Sequence, residues 1–525
     1  MTLQSFISNL NGAIWALPVI LLLLAVSICY CFAMGFDTLT KWKLQLKLLL
    51  SNKGGSEEGI SPFETFCSVV AYRVAVGNIG GVAVAIMSGG PGAVFWMVIT
   101  ALLTSAIAYA ENSLGQIYKI RQDGQYRGGP YNYMESGLGW RPLAVVFALL
   151  ALIAVPLFVS GAGANNIGMA FKNSLGINPA ITGIVIAVLL FLVISGGVRR
   201  IAKFSTIIVP IMTILYLVMT IIVLAVNVTK IPGMLGLILS SAFSKNAIFG
   251  GLFGSAVVYG VKRAVNSSGA GMGETPPMAA AAECSHPGEQ GLVNSFTVYI
   301  DVAVCLCSGF LMLITDCFNV LGADGKFLHI GQGSSIMAEQ AATGTVGVVW
   351  VQEAVNTVLP NIGGIVVAFA LTFFAFSTTV AYYYEGEAGL AYLARNAEQK
   401  TRNKMIWVLR VAQPIMFFVW FNVTASTAWA VSEIALGLMI WVNGVALICL
   451  FPKVIKVYND YKKQLKAGKS PYFNPQKLGI KNADLWMDIN KEMISKELEN
   501  EGRPFDIGEK SVKIISQGIE LEAGD

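Results

Sequence analysis

Long stretches of apolar residues recur along the chain and decide which environment it can fold in. The first, AIWALPVILLLLAVSICYCFA at 13–33, carries no charged residue and is long enough to cross a bilayer as a helix, which takes about 20 residues. Only 13% of the 525 residues are charged, against roughly 25% in soluble domains. The sequence therefore predicts an all-α integral membrane protein.

About eleven such stretches are predicted to span the membrane. They lie at 13–33, 62–88, 91–118, 142–171, 178–197, 203–227, 246–266, 292–320, 361–394, 405–423 and 428–451. The first is interpreted as a retained helix rather than a signal peptide, since residues 1–33 contain no Lys or Arg. In the segment 36–53, FDTLTKWKLQLKLLLSNK, apolar residues and lysines separate at helical spacing, which predicts a helix on the membrane surface.

Lysines and arginines collect in alternate loops. The cation-rich side receives Lys41, Lys43, Lys47, Lys53, Lys119, Arg121, Arg127, Arg199, Arg200, Lys203, Lys400, Arg402, Lys404, Lys453, Lys456, Lys462 and Lys463. The other side shows little beyond Lys172, Lys230, Lys245 and Lys326. Because cytoplasmic loops carry the excess of cations, we predict a multi-pass protein of the cell membrane with its N-terminus outside and its C-terminus in the cytoplasm.

Two spans contain runs of glycine that a continuous helix would not favour. The second span includes RVAVGNIGGVAVA at 73–85, and the seventh approaches or enters NSSGAGMGETPP at 266–277. Gly costs about 1 kcal/mol and Pro about 3 kcal/mol against Ala inside a helix. Both segments are therefore predicted to be unwound. Close helix packing through small residues is the alternative interpretation.

The two breaks fall at corresponding positions when the first span is set aside. The remaining ten form two sets of five with opposite orientations, which is the arrangement of secondary transporters with discontinuous helices. The predicted parts are an extra N-terminal transmembrane helix at 1–36, an interfacial helix and loop at 37–61, a first five-helix repeat at 62–227, a second at 228–451 and a cytoplasmic tail at 452–525. Unwound backbone can coordinate a cation, and a half-helix N-terminus can meet a carboxylate.

Several polar groups lie within predicted spans, where they are costly and usually face the interior of a helix bundle. Arg73 adjoins the first break, and Glu111, Asn112 and Asp301 lie in other spans. A pair between Arg73 and one of the acids is plausible, but the sequence leaves its partner open. A purely structural role for such a pair is equally open.

The ninth span ends in FFAFSTTVAYYYEGE at 373–387. Hydroxyl oxygens of Ser377, Thr378 and Thr379 suit a monovalent cation, although such groups in membrane helices often bond back to their own i−4 carbonyl. The tyrosines at 382–384 either wall a pocket or form an aromatic belt at the interface. Glu385 and Glu387 predict that this end of the span lies near water.

Enzyme and channel functions are not favoured. The two histidines and eight cysteines show no spacing typical of zinc or disulfide sites, and no hydrolase, metalloprotease or phosphate-loop motif is present. A channel predicts a continuous polar stripe along several spans, which the sequence does not have. We therefore expect no enzymatic activity and no catalytic residue.

Four motifs in order resemble the sodium:alanine symporter family, also called the alanine or glycine:cation symporters. They are VGNIGGVAVAIMSGGPGAVFWM at 76–97, GQYRGGPYNYM at 124–134, KRAVNSSGAGMGETPPMAAAAECSHPGEQGLV at 262–293 and FAFSTTVAYYYEGE at 374–387. The resemblance covers most of residues 60–450. It implies a leucine-transporter-like fold, a 5+5 inverted repeat whose first and sixth core helices are discontinuous, and transport of small neutral amino acids with sodium.

The resemblance also implies where the ligands bind. The substrate would meet the two breaks, with the third core helix and an aromatic residue closing the pocket: Val76, Gly77, Asn78, Gly80, Gly163, Ser267, Ser268, Gly269, Gly271, Met272, Gly273 and Tyr382. Sodium, a coupling ion and not a prosthetic group, would lie between backbone of the first core helix and two hydroxyls of the eighth: Ala75, Asn78, Ser377 and Thr378.

The chain departs from the family pattern at several of these positions. The family's first break reads R-V-G-[ST]-G-N, where this chain has Ala75 and Val76. Its sixth-helix motif reads F-S-N-E-A-G-M-G, where this chain has Asn266, Ser268 and Gly269 in place of Phe, Asn and Glu. A Gln near the substrate aligns with Gly163, which would enlarge the site.

The sequence thus predicts a symporter that imports a small neutral amino acid, alanine or glycine first, with sodium by alternating access. The alternative is a proton-coupled or exchanger-type carrier for a larger or different neutral amino acid. The expected partners are that amino acid, sodium and the lipid bilayer, with no nucleic acid; the sequence does not fix an oligomeric state.

Overall fold

The computed structural model describes residues 3–15, 17–50, 58–245, 250–343 and 346–500. Parts of four predicted segments lie outside these residues: 1–2 and 16 of the N-terminal helix, 51–57 of the interfacial segment, 246–249 and 344–345 of the second repeat, and 501–525 of the tail. The described residues are mostly helical, with two small antiparallel hairpins, β1 (Ile120–Gln122) with β2 (Gln125–Arg127) and β3 (Asn319–Leu321) with β4 (Phe327–Ile330). The sequence analysis anticipated neither hairpin.

The helices follow one another with short connections. In the first part of the chain they are α1 (Leu3–Ile14), α2 (Leu17–Ala33), α3 (Asp37–Thr40), α4 (Trp42–Leu49), α5 (Pro62–Arg73), α6 (Gly80–Gly89), α7 (Gly92–Ile117), α8 (Pro130–Asn132), α9 (Arg141–Leu149), α10 (Ser160–Leu175), α11 (Pro179–Ile194) and α12 (Gly197–Val226). In the second part they are α13 (Ile231–Ala242), α14 (Phe253–Ser268), α15 (Pro276–Ala280), α16 (Pro287–Ile314), α17 (Ile336–Thr343), α18 (Val348–Asn356), α19 (Gly363–Leu393), α20 (Gln399–Trp420), α21 (Ala425–Cys449), α22 (Phe451–Lys466), α23 (Leu485–Ile489) and α24 (Lys491–Asn500). A π-helical stretch around Pro156 joins α9 to α10.

Seven helices of the described part are long and apolar enough to cross a membrane. They are Asn9–Ala33, Gly92–Ile117, Arg141–Leu175, Gly197–Val226, Pro287–Ile314, Gly363–Leu393 and Ala425–Cys449. The predicted spans 62–88, 178–197, 246–266 and 405–423 correspond to shorter or more polar helices. The count of eleven therefore stays a prediction. The predicted surface helix at 36–53 is represented by two short helices, α3 and α4.

The first predicted break is present between α5 and α6. A capping box starts α5, in which the Ser61 hydroxyl accepts from the Glu64 amide and the Glu64 carboxylate accepts from the Ser61 amide. The helix ends at Arg73, Ala75 is extended, and a single 3₁₀ turn at Val76–Asn78 leads to α6. The Asn78 side-chain oxygen accepts from the Ala75 amide at 2.9 Å, which holds the turn.

The second predicted break lies between α14 and α15. Here the backbone turns through Gly269, Gly271 and Gly273, whose φ angles are +58°, +89° and +82°. Residues with a Cβ rarely adopt these angles, so the glycines allow this path. Pro276 then starts α15, because proline fits the first turn of a helix where its missing amide costs nothing.

The two breaks lie side by side. The Ser267 hydroxyl, near the end of α14, donates to the Asp301 Oδ1 of α16 at 2.6 Å, and the Asn78 amide group donates to the same oxygen at 2.6 Å. One buried carboxylate therefore joins both breaks.

The tail packs against loops that the cation count assigns to its own side of the membrane. The Trp486 indole donates to the Gln116 carbonyl at 3.0 Å, and Arg121 pairs with Asp488 at 3.1 Å. Lys119 lies over the Trp486 ring at 4.6 Å. The cation-rich loop after α7 and the charged tail therefore share one face of the molecule.

Candidate functional site

A cavity of about 50 Å³ lies between the two breaks. Eight of the predicted site residues line it: Ala75, Val76, Gly77, Asn78, Gly163, Ser267, Thr378 and Tyr382. The lining also contains residues that the sequence analysis did not assign to the site: Tyr72, Arg73, Val159, Ser160, Ala162, Arg263, Asn266, Glu274, Ala375, Thr379, Trp429, Ser432, Glu433 and Leu436. The cavity thus brings together α5, α10, α14, α19 and α21.

The other predicted residues lie near the cavity without lining it. They are Gly80, Ser268, Gly269, Gly271, Met272, Gly273 and Ser377. Two of them, Gly271 and Gly273, have backbone amides that are already bound. Both amides donate to the Glu111 Oε2, at 3.0 and 3.2 Å. These amides therefore bind a carboxylate of the protein itself.

The acid that pairs with Arg73 is Glu111 of α7. The Arg73 Nη2 lies 3.8 Å from the Glu111 Oε1, and both side chains are fully buried. The Arg73 Nε donates to the Thr297 hydroxyl at 2.7 Å. The Thr275 hydroxyl adds a third hydrogen bond to Glu111, at 3.2 Å. Glu111 therefore binds the second break and the end of α5 together.

The predicted cation ligands fall into two places. Ala75 and Asn78 bond to each other at the first break, where the Asn78 amide group faces Asp301. The Thr378 hydroxyl of α19 lies elsewhere, 2.7 Å from the Ala71 carbonyl oxygen and 3.4 Å from the Val74 carbonyl oxygen. The oxygens around Thr378 belong to the last turn of α5, ahead of the residues that the sequence analysis named.

Ser377, the neighbour of Thr378, faces a different environment. Its hydroxyl donates to the Phe374 carbonyl at 3.0 Å and lies 3.6 Å from the Met212 sulfur. Carbonyl and hydroxyl oxygens such as those of Ala71, Val74 and Thr378 are ligands that a hard monovalent cation accepts. The described residues contain no group of three or more His, Cys, Asp or Glu side chains placed to hold a metal ion.

Arg263 of α14 is a buried cation that the sequence analysis missed. Its guanidinium packs on the first break, since a methyl group on Gly77 or Gly81 would overlap it. Among the described residues it makes no hydrogen bond or ion pair, and its Nε is fully enclosed without a partner. The side chain lines the cavity. An unpaired guanidinium beside a binding cavity favours an anionic group there.

The sequence predicts that the end of the ninth span lies near water, but its two carboxylates are not exposed to solvent. Glu385 is fully buried and Glu387 is 4% exposed. Glu387 accepts from the Tyr383 hydroxyl at 2.6 Å and pairs with Arg127 at 3.4 Å and Arg410 at 3.8 Å. The two arginines come from other elements, so the local sequence could not reveal that the carboxylate is neutralised inside the protein.

A second, larger cavity of about 510 Å³ adjoins the first, and we call it the vestibule. Four residues line both spaces: Arg263, Asn266, Trp429 and Glu433. Glu433 of α21 pairs with Lys262 at 2.8 Å and accepts from the Asn11 side chain at 2.7 Å. These residues form the partition between vestibule and cavity.

Comparison with known proteins identifies relatives along most of the chain. The model of the sodium:alanine symporter family matches residues 1–475. YrbD of Bacillus subtilis (strain 168) is 42% identical over 488 residues, which cover 92% of this chain and 98% of that protein. A sodium/proton-dependent alanine carrier protein of Bacillus sp. (strain PS3) is 38% identical over 432 residues, 82% of this chain and 94% of that protein.

The solved structures include one with a comparable fold. The crystal structure of MhsT in complex with L-phenylalanine superposes with a TM-score of 0.52 at 16% identity, covering 77% of this chain and 99% of that chain. At this identity the likeness shows a shared fold and nothing about ligands.

Replacement of Glu111 tests its role as the anchor of the second break. Glu111→Gln should lower the free energy of unfolding by about 3 kcal/mol, because it removes the charge of the carboxylate that is paired with the buried Arg73 and that accepts the Gly271 and Gly273 amides. Denaturation in detergent would measure it. The control is Glu135→Gln, which removes a partly exposed pair with Arg395 and should cost about 1 kcal/mol or less. Equal stability of the two variants would contradict this role.

Proposed function

The chain belongs to the sodium:alanine symporter family, and from this premise we propose that it imports a small neutral amino acid together with sodium by alternating access. Alanine or glycine is the first candidate substrate. The observation that carries the proposal is the cavity between two adjacent helix breaks. Non-helical backbone occurs at membrane depth only where protein buries it or where it lines a cavity.

Sodium would bind at Thr378 in this proposal. The Thr378 hydroxyl and the Ala71 and Val74 carbonyls converge from α19 and the end of α5. A sodium ion there would join a helix of one proposed repeat, 62–227, to a helix of the other, 228–451. Binding would thereby favour one arrangement of the two repeats, which coupling of ion and substrate requires. Ala75 and Asn78, which the sequence predicts as sodium ligands, would instead line the substrate cavity at the same break.

The substrate's carboxylate would face Arg263. A zwitterionic amino acid brings one carboxylate into the cavity, and the guanidinium there has no partner of its own among the described residues. The bidentate geometry of Arg suits a carboxylate. Gly163 and Tyr382 would bound the space for the side chain. A Cβ added to Gly163 would stand 3.3 Å from the Ala375 methyl group, so the gap between α10 and α19 leaves little room for a large side chain.

Entry would proceed through the vestibule. It is lined near the N-terminus by Asn11 and near a loop of the cation-poor side by Thr343 and Val346. In the proposed orientation, with the N-terminus outside and the tail at 452–500 in the cytoplasm, the vestibule opens outward. Movement of the partition formed by Arg263, Asn266, Trp429 and Glu433 would then admit substrate, and the membrane potential would contribute about 2.3 kcal/mol per sodium charge per 100 mV.

Uptake measurements test the function directly. Proteoliposomes should accumulate labelled alanine or glycine when sodium is higher outside, and replacement of sodium by potassium should abolish accumulation. Larger neutral amino acids and an imposed pH gradient complete the panel. Uptake that ignores sodium and follows only the pH gradient would favour the proton-coupled alternative and refute sodium symport.

The sodium site has a specific test. Thr378→Val keeps the shape of the side chain and removes the hydroxyl, so the sodium concentration for half-maximal uptake should rise about tenfold, the equivalent of about 1.4 kcal/mol. The matched control is Thr372→Val on the same helix, whose hydroxyl only bonds back to the Ala368 carbonyl at 2.8 Å. An equal sodium dependence in both variants would place the ion elsewhere.

The carboxylate partner is tested with an analogue that lacks the charge. In competition with labelled alanine, the protein should prefer alanine over alaninamide, and Arg263→Gln should reduce that preference about tenfold or more, the loss of about 1.4 kcal/mol. Arg263→Lys should retain part of it. Lys262→Gln, which removes the neighbouring cation paired with Glu433, should leave the preference in place. An unchanged preference in Arg263→Gln would contradict the assignment.

A further inference from the structure

Glu274 and Glu385 are carboxylates in the protein interior that lack hydrogen-bond donors. Glu385 is fully buried, and neither of its oxygens has a partner among the described residues. Glu274 is 3% exposed, and its Oε1 also has no partner. Glu111, by contrast, accepts three hydrogen bonds and faces Arg73. An ionised carboxylate without partners is costly in such a place, and protonation removes most of that cost.

The same carboxylates belong to one electrostatic cluster. The charged groups that act on Glu385 are Glu274 and Glu111, and those that act on Glu274 are Glu111 and Arg73. With all three acids ionised, three negative charges would face the one positive charge of Arg73, a balance of −2. Asp301 and Arg263 nearby add one charge of each sign and leave that balance unchanged. The cluster therefore has a deficit of positive charge.

The position of Glu274 links this deficit to the substrate cavity. Glu274 lines the cavity, and its Oε2 lies 2.6 Å from the place where a Cβ on Gly269 would stand, within the second break. Glu385 is one helical turn beyond Tyr382, another cavity-lining residue. The titratable groups whose charges interact with this pair are Arg73, Glu111, Tyr72, Tyr131, Tyr133 and Tyr382.

We propose that Glu274 and Glu385 form a proton-binding site beside the substrate cavity, and that the proton bound there travels with the amino acid. When the cavity opens to the outside, a hydronium ion gives its proton to a carboxylate oxygen: one O–H bond of the ion breaks, the carboxylic O–H bond forms and water remains. When the cavity opens to the cytoplasm, the reverse step returns the proton to water as hydronium. A proton suits a buried carboxylate without hydrogen-bond donors, because protonation removes the charge and needs no further ligands. This inference rests on the proposed transport function.

A pH gradient without a sodium gradient tests the site. Proteoliposomes hold equal sodium on both sides, and a potassium ionophore fixes the membrane potential. With the outside one pH unit more acidic, uptake of labelled alanine by the natural protein should rise severalfold, the ceiling being about tenfold for one proton per alanine. Glu385→Gln should lose this response and keep uptake driven by sodium, and Glu274→Gln should also lose the response.

Glu387→Gln is the matched control. Glu387 lies two residues from Glu385 on the same buried helix, but its carboxylate is already bound by Tyr383, Arg127 and Arg410. This variant should respond to the pH gradient like the natural protein. No response of the natural protein, a response to acid inside instead, or an equal response in Glu385→Gln would each overturn the proposal.

A binding measurement covers the case in which the glutamine variants do not transport. The affinity of purified protein for alanine at fixed sodium should change with pH in the natural protein and in Glu385→Asp, and should be constant in Glu385→Gln. A pH dependence that persists in Glu385→Gln refutes the proton site. Absence of sodium-driven uptake by the natural protein would instead refute the transport function, so the two failures are distinguishable.

Discussion

Backbone that leaves a helix inside a bilayer must find its hydrogen-bond partners within the protein, and the architecture around both breaks follows from this demand. At the second break the Glu111 carboxylate accepts the amides of Gly271 and Gly273. At the first break the Asn78 side chain accepts the Ala75 amide and donates to Asp301. Two acids from uninterrupted helices, α7 and α16, therefore hold the interrupted ones in place.

The carboxylates that bind the unwound backbone bring charge into the protein interior, and this charge requires a counter-charge there. The charge of the buried Glu111 is balanced by Arg73, and the Arg73 Nε donates to the Thr297 hydroxyl. Breaking such a pair is far more costly than its net contribution to stability. Arg263, Glu274 and Glu385 have no comparable partners among the described residues. The first two line the cavity, so the charges that the scaffold leaves unbalanced are beside the space where a zwitterion would bind.

The sequence predicts the parts of this structure that local chemistry determines and misses those that depend on distant contacts. Glycines mark the first break and glycines followed by prolines mark the second, and the structure has these breaks at 74–79 and 269–275. Arg263 has no such signal, because its place beside Gly77 depends on how α14 crosses α6. The hairpins are short and lack a long alternating pattern. Burial of Glu387 follows from Arg127 and Arg410, which are far away in sequence.

The hydroxyls of α19 show why spacing alone could not separate a hydroxyl that meets another helix from one that only bonds back to its own helix. Thr372, Thr378 and Thr379 each bond to the carbonyl four residues earlier, as hydroxyls in membrane helices often do. Thr378 also contacts the carbonyl of Ala71 on α5. Because α5 has ended by Val74 and the Ala75 amide donates to the Asn78 side chain, no helical amide occupies the Ala71 carbonyl. The broken helix and the hydroxyl that meets it therefore form one feature, and only together do they offer oxygens to an ion.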